Sequence, residues 1–164
     1  MNLLAAFLAW APVTNWLIAR ASKTPYRNIV SADGSDVYMY RYWLFNPYPA
    51  PGAYDKPGIW NYLPSIRLHH IMREDQDRDL HDHPWNARTF ILRGWYIEER
   101  EGDGHACRDR LVGTTAKLKF REYHRIGLVS PGGVWTMFVT WRKQGSWGFK
   151  VNGEHVPYEK YLNR

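Results

Sequence analysis

The feature that most limits what this chain can fold into is a succession of short runs rich in β-branched and aromatic residues. Gly, Pro and Asp residues mark most of the gaps between them. VYMYRYWLF (Val37–Phe45) is the first, and SIRLHHIM (65–72) follows it. Further runs cover residues 88–100, 116–120 (AKLKF), His124–Val129, 134–142 (VWTMFVTWR) and 147–151. Such residues suit a pleated, half-buried surface. The alternation in AKLKF puts one face in a core and the other in water. Six or more strands at spacings of roughly ten residues, divided by turn signals, predict an all-β sandwich or barrel.

The segments between the runs fit that picture. Residues 46–60 hold Pro47, Pro49, Pro51 and Pro57 with Gly52 and Gly58, which predicts a long covering loop. Asp33-Gly34, the polar stretch EDQDRD (74–79) and Gly102-Asp103-Gly104 mark turns. Ser22 to Tyr26 reads as a connector, and the tail GEHVPYEKYLNR as ending in a helical turn.

A chain of 164 residues is expected to form one domain and to bury a real core. We divide it into an N-terminal helical extension, 1–24, and a single β-barrel domain, 25–164. Nine tryptophans and eleven tyrosines exclude a disordered composition. The single cysteine, Cys107, excludes an internal disulfide and a Cys-rich zinc site. It sits in the polar stretch EGDGHACRDR and is expected in a loop. The low cysteine count suits a reducing cytoplasm, and a cytoplasmic protein is the expectation. The formal charge of +6 raises the prior for anionic partners. The cations are scattered among acids, however, and nucleic-acid binding has no motif behind it.

MNLLAAFLAWAPVTNWLIAR lacks the basic n-region of a secretory signal, and its apolar run is too short to span a bilayer. No transmembrane segment is expected. Leu4, Phe7, Leu8, Ala11 and Ile18 recur at roughly helical spacing, which predicts a short helix kinked at Pro12. It should pack on the body of the protein or on a second subunit. Contact with a membrane surface is the alternative.

LHDHPW places His81 and His83 one residue apart. In an extended segment, residues i and i+2 share a face. Two imidazoles would then project into one cavity, a donor set that suits a divalent transition metal. An H-x-H pair alone is a weak signal. Here it begins a strand, Gly94 follows the apolar part of that strand, and His124 stands downstream at the head of another strand.

That arrangement resembles the cupin superfamily, whose first motif is G-x5-H-x-H-x3-4-E-x6-G and whose second motif supplies a later histidine. His81, His83 and Gly94 match the first motif and His124 the second, and the resemblance covers residues 65–149. LHDHPWN, FILRGWY, YHRIGLV and WGF together look like small cupin-like proteins of bacteria and bacteriophages. The resemblance implies a double-stranded β-helix, or jelly roll, with a metal at the mouth of the barrel, and cupins commonly form homodimers. Two positions depart from the pattern. The motif glutamate should fall at Ala87 or Arg88, and the next acids, Glu98 and Glu99, lie beyond Gly94. Asp75 stands where the first motif glycine is expected. The resemblance thus implies a three-histidine site, His81, His83 and His124, holding Fe, Zn, Ni, Cu or Mn.

Several residues are candidates to line a ligand pocket beside that site. Arg88 takes the place of a carboxylate, and a cation beside a dication makes sense if an anionic ligand bridges them. A strand shift turning Arg88 outward is the alternative. Trp85 and Tyr96 are wall candidates, or simple core. Arg67 and His69 would share one face of their strand and Leu68, His70 and Met72 the other. Either the first pair lines a polar mouth or His70 is packed and His69 exposed. Asp82 and Arg125 should point away from the rings, and His105 and His155 should be exposed. No P-loop, G-x-S-x-G elbow or H-E-x-x-H motif occurs.

The functional expectation is a metal-dependent enzyme acting on a small, anionic molecule. Oxygenation leads, with isomerisation or hydrolysis behind it. A non-catalytic binding module for a sugar, nucleotide or similar ligand is the alternative, and an oligomeric interaction protein is a third.

Overall fold

A computed structural model describes residues 2–31, 34–50, 53, 58–102 and 106–162. Among the described residues, two helices, α1 (Leu3–Leu8) and α2 (Ala11–Ala21), precede eleven strands. These are β1 (Pro25–Val30), β2 (Val37–Phe45), β3 (Ser65–Ile71), β4 (Trp85–Arg93), β5 (Tyr96–Arg100) and β6 (Ala106–Arg110). They continue with β7 (Thr115–Leu118), β8 (His124–Val129), β9 (Val134–Lys143), β10 (Gly148–Val151) and β11 (Glu154–Pro157), and the helical turn α3 (Tyr158–Tyr161) closes the described chain. The all-β expectation holds.

The strands form antiparallel sheets ordered β1-β2-β3-β9-β4-β7, β6-β5-β8 and β10-β11. The large sheet has two distinct faces because its side chains alternate. Its outer face carries Leu68, Phe90, Leu92 and Met137, and Ala5, Leu17 and Ala21 of the helices bury against them. Its inner face is layered. Met39, Ile71, Ile91 and Val134 form an apolar layer with Tyr96 and Ile126 of the small sheet. Trp43, Trp85, Ala87 and Phe138 form an aromatic layer with Tyr48 and Leu118. His69 lies on the inner face between these layers, cross-strand from Thr136.

The N-terminal segment is two helices rather than one kinked helix. The break falls before Ala11, and Pro12 sits in the first turn of α2, where a missing N–H costs nothing. One side of the helices packs on the body of the protein. Among the described residues, no helix is long and apolar enough to cross a membrane.

Three other local readings change. The connector at 22–26 runs into β1, which pairs with β2. Cys107 lies on β6, exposed, not in a loop. The run over 88–100 is two strands, because Gly94 turns the chain at φ +77, where a Cβ would stand 2.7 Å from Gly133 O and Ser130 Oγ. In the proline-rich loop, Tyr48 packs edge-on against Trp43 over the aromatic end of the barrel. Buried Asn46 holds that loop's far end, donating to the carbonyls of Trp60, Leu63 and Pro64. Asp33, Asp103, Gly104 and His105, and Pro51, Gly52 and Pro57 of the loop, lie outside the described residues.

Candidate metal centre

The segment before β4 explains how the histidines meet. His81 exchanges both backbone hydrogen bonds with His124, each 2.9 Å long. Leu80 and Asp82 bond the backbone of Lys150 and Gly148 on the other side. Residue 81 is therefore a one-residue strand wedged between β8 and β10. His83 follows two residues on and shares its face. The three ring centroids are 4.8 to 5.3 Å apart. One nitrogen from each of His81, His83 and His124 lies within 4.8 Å of the others, and Nε2 of His83 is 2.9 Å from Nε2 of His124.

Burial sets the chemistry of these rings. It lowers His81 to about 4, against partial opposition from Asp75, whose Oδ2 is 3.8 Å from His81 Nδ1. His83 falls well below its ordinary value through burial and then through His124 and His81. Neutral imidazoles keep the lone pairs that a cation requires.

A carboxylate does reach the cluster, from a place the motif spacing did not indicate. Glu98 is fully buried on β5, and its Oε1 is 2.9 Å from Nδ1 of His124. The β5–β8 register sets Arg100 opposite His124 and Glu98 opposite Ile126. Arg100 Nε donates to Glu98 Oε2 at 2.9 Å, and Arg110 Nε at 2.6 Å. Burial pushes the Glu98 carboxyl up, but the nearby His124 ring and the Arg100 guanidinium more than offset this and hold it low. Were the ring proton on Nδ1, beside this anion, the His124 Nε2 lone pair would face the other two histidines. Tyr96, Glu98 and Arg100 alternate on the inner face of β5, a signal readable from sequence once the turn at Gly94 is recognised.

The other candidates divide. Trp85 stacks on His83 at 6.3 Å. Arg67 is buried on the same inner face, and its Nη2 donates to Thr140 Oγ1 at 3.0 Å. Its guanidinium lies 5.1 to 5.6 Å from the rings of Trp43, Tyr48, Trp85 and Phe138. His69 lies beside Phe138, ring to ring at 5.1 Å. Its Nε2 is buried with no hydrogen-bond partner among the described residues. Burial, then Arg67 and Arg41, lower its pKa well below the ordinary value. His70 is on the outer face, stacked 4.3 Å from Trp135.

Arg88 is not brought to the histidines. It pairs with Val139 of the outer face and lies over Phe90 of the helix-covered core. Alternation decides this: odd-numbered residues of β4 share the histidine face, and Arg88 is even. Tyr96 is packed in the apolar layer, not against the imidazoles. Asp82 turns away from the rings and accepts from Gly148 N at 2.7 Å. Arg125 points outward to Glu99 at 2.8 Å. His155 is half-buried rather than exposed, and its Nδ1 meets Tyr123 Oη at 2.9 Å.

A groove of about 510 Å³ elsewhere on the rim includes Arg78, Glu99, Glu101, Arg125 and Lys150. Its cations already pair with its acids, and none of the three histidines lines it.

Comparison with solved structures places this architecture. DMSP lyase DddQ from Ruegeria pomeroyi DSS-3 superposes with a TM-score of 0.57 at 15% identity, over 98% of this chain and 79% of that one. A cupin-2 domain from Rhodospirillum rubrum superposes at 0.53 and 11%, over 77% and 74%. The fold is that of the cupins. The Fe(II) form of HppE gives 0.53 and 10% over 73% of this chain, which spans only 57% of the length of that protein. No protein-family model matches the sequence, and no curated protein matches it.

Within this cupin barrel the donor set fits a divalent transition metal. Two imidazole nitrogens bound to one ion at about 2.0–2.1 Å stand about 3 to 4 Å apart, a spacing within the reach of these three. Half-buried and buried imidazoles with a carboxylate behind one of them are the surroundings such ligands have. Among the described residues, the cluster contains no carboxylate ligand of its own.

Proposed function

We propose that this chain is a metal-dependent enzyme acting on a small anionic molecule in the mouth of its cupin barrel, with His81, His83 and His124 as ligands. The observation that carries the reading is the convergence of three imidazole nitrogens within 4.8 Å, one on buried His124 and two on half-buried His81 and His83. Fe, Zn, Ni, Cu and Mn all suit such a donor set. Bound there, the ion supplies Lewis-acid or redox chemistry, and oxygenation is the leading reaction class, ahead of isomerisation and hydrolysis. Glu98 holds the His124 ring and keeps its Nε2 free to bind. Trp85 and Phe138 exclude water beside His83. Arg67 and His69 on the same inner face support an anionic substrate, taking over the part that Arg88 was expected to play. A cytoplasmic setting suits the free thiol of Cys107.

The test is elemental analysis of protein purified without a polyhistidine tag, beside His81→Ala/His83→Ala. A stoichiometric transition metal, lost in the double variant, is the expected result. Wild-type protein that takes up no metal when offered each of the five would overturn the reading.

A second reading, a binding module that releases its ligand unchanged, is favoured by the absence of a carboxylate from the cluster. Tight binding of a sugar or nucleotide to metal-free protein would decide for it.

A further inference from the structure

We propose that the outer face of the two N-terminal helices docks onto an anionic lipid surface. The helices bury one side on the barrel through Ala5, Leu17 and Ala21. Their opposite side is apolar and exposed: Leu3 at 78%, Phe7 at 56%, Trp10 at 60% and Trp16 at 64%. Leu3 and Phe7 are one helical turn apart, and Trp10 continues their stripe. Such a concentration of large side chains is not an ordinary solvated face. Exposed Leu111 and Val112 extend it, since their loop reaches α1 at Gly113, where a Cβ would stand 3.8 Å from Ala6 Cα.

Charge identifies the occupant. Residues 1–32 contain no Asp or Glu, Arg20 stands one helical turn after Trp16, and Lys23 follows in the turn after α2. Both basic residues are exposed, as is Arg27. Exposed Arg93 adjoins the same helix, donating to Asn15 Oδ1 at 2.6 Å. A second copy of this face would set these cations against one another. An anionic bilayer attracts them while its acyl boundary accepts Leu, Phe and Trp. With 6 and 11 residues the helices are too short to cross a bilayer, so they lie in its surface. This inference does not depend on the metal site.

The experiment is co-sedimentation of the full chain with vesicles of phosphatidylcholine alone and of equimolar phosphatidylcholine and phosphatidylglycerol. Binding should be about tenfold or more stronger to the anionic vesicles and should weaken as salt rises. Phe7→Ser/Trp16→Ser should lose binding to both. Arg20→Gln/Lys23→Gln should lose only the anionic preference. The altered side chains are exposed, and the wild-type result alone can overturn the proposal. It fails if wild-type protein binds neither vesicle or binds both equally. It fails equally if Phe7→Ser/Trp16→Ser turns a sedimenting dimer into a monomer while wild type ignores lipid.

Discussion

Glu98 Oε1 lies 2.9 Å from Nδ1 of His124, and neither side chain is open to solvent. That contact joins the candidate metal centre to a buried ionic cluster with Arg100 and Arg110. Substituting Glu98 therefore acts on both.

Glu98→Gln keeps the side chain's shape and removes its charge. Removing the anion that buried Arg100 shares with half-buried Arg110, while Arg100 keeps Glu122, should cost about 3 kcal/mol in urea unfolding. Metal affinity, measured by competition with a chromophoric chelator, should fall about 10- to 100-fold. A variant with full metal affinity would show that the carboxylate does not position His124.

Ligand binding to the folded state raises its stability by mass action. At a metal concentration about a hundredfold above Kd the gain is about 2.7 kcal/mol. Chelation should therefore lower the melting temperature by several degrees, and re-addition should restore it. His81→Ala/His83→Ala should melt at one temperature with or without metal. A chelator-insensitive wild type would count against the site.

Three histidines are held neutral inside the barrel. Burial lowers His69, His81 and His83 from an ordinary value of 6.5, His81 to about 4. Above pH 6.5 folded and unfolded states are both neutral there, and pH has no effect through these groups. As pH falls below 6.5 the unfolded chain takes up protons that the folded chain refuses, so stability drops. The loss continues towards pH 4 for His81, at up to about 1.4 kcal/mol per pH unit for each group. Urea midpoints of chelated protein between pH 7 and 5 should show this slope, and His69→Phe should flatten it. Equal slopes in the two proteins would exclude His69 from the effect.

Asn46 holds the proline-rich loop by one side-chain amide shared among three carbonyls. Asn46→Ala removes these part-buried hydrogen bonds, at a cost of about 1 kcal/mol. Faster proteolysis within residues 46–64 should accompany it. A loss of stability without faster cleavage there would place the effect elsewhere.

Much of the fold was legible because strand periodicity is local. The bounds of β2 and β8 follow from runs of β-formers, and the shared face of His81 and His83 follows from their spacing of two. The same rule, carried through Pro84, sets Arg88 on the opposite face. The motif spacing drew Arg88 to the metal instead, and alternation was the better guide. The strands β1 and β6 were not legible, because PYRNIV and ACRDR lack an apolar alternation and become strands only by pairing with β2 and β5.

The sequence by itself determined which residue types stand at which phase of each strand: three imidazoles, a basic strand face at Arg67, and a glycine where the chain must turn. The tertiary structure alone decided which strands are neighbours. The β5–β8 register brings Glu98 to His124, although the two are far apart in sequence and share no motif. Pairing across sheets is set by the summed burial of whole faces, to which no single residue spacing corresponds.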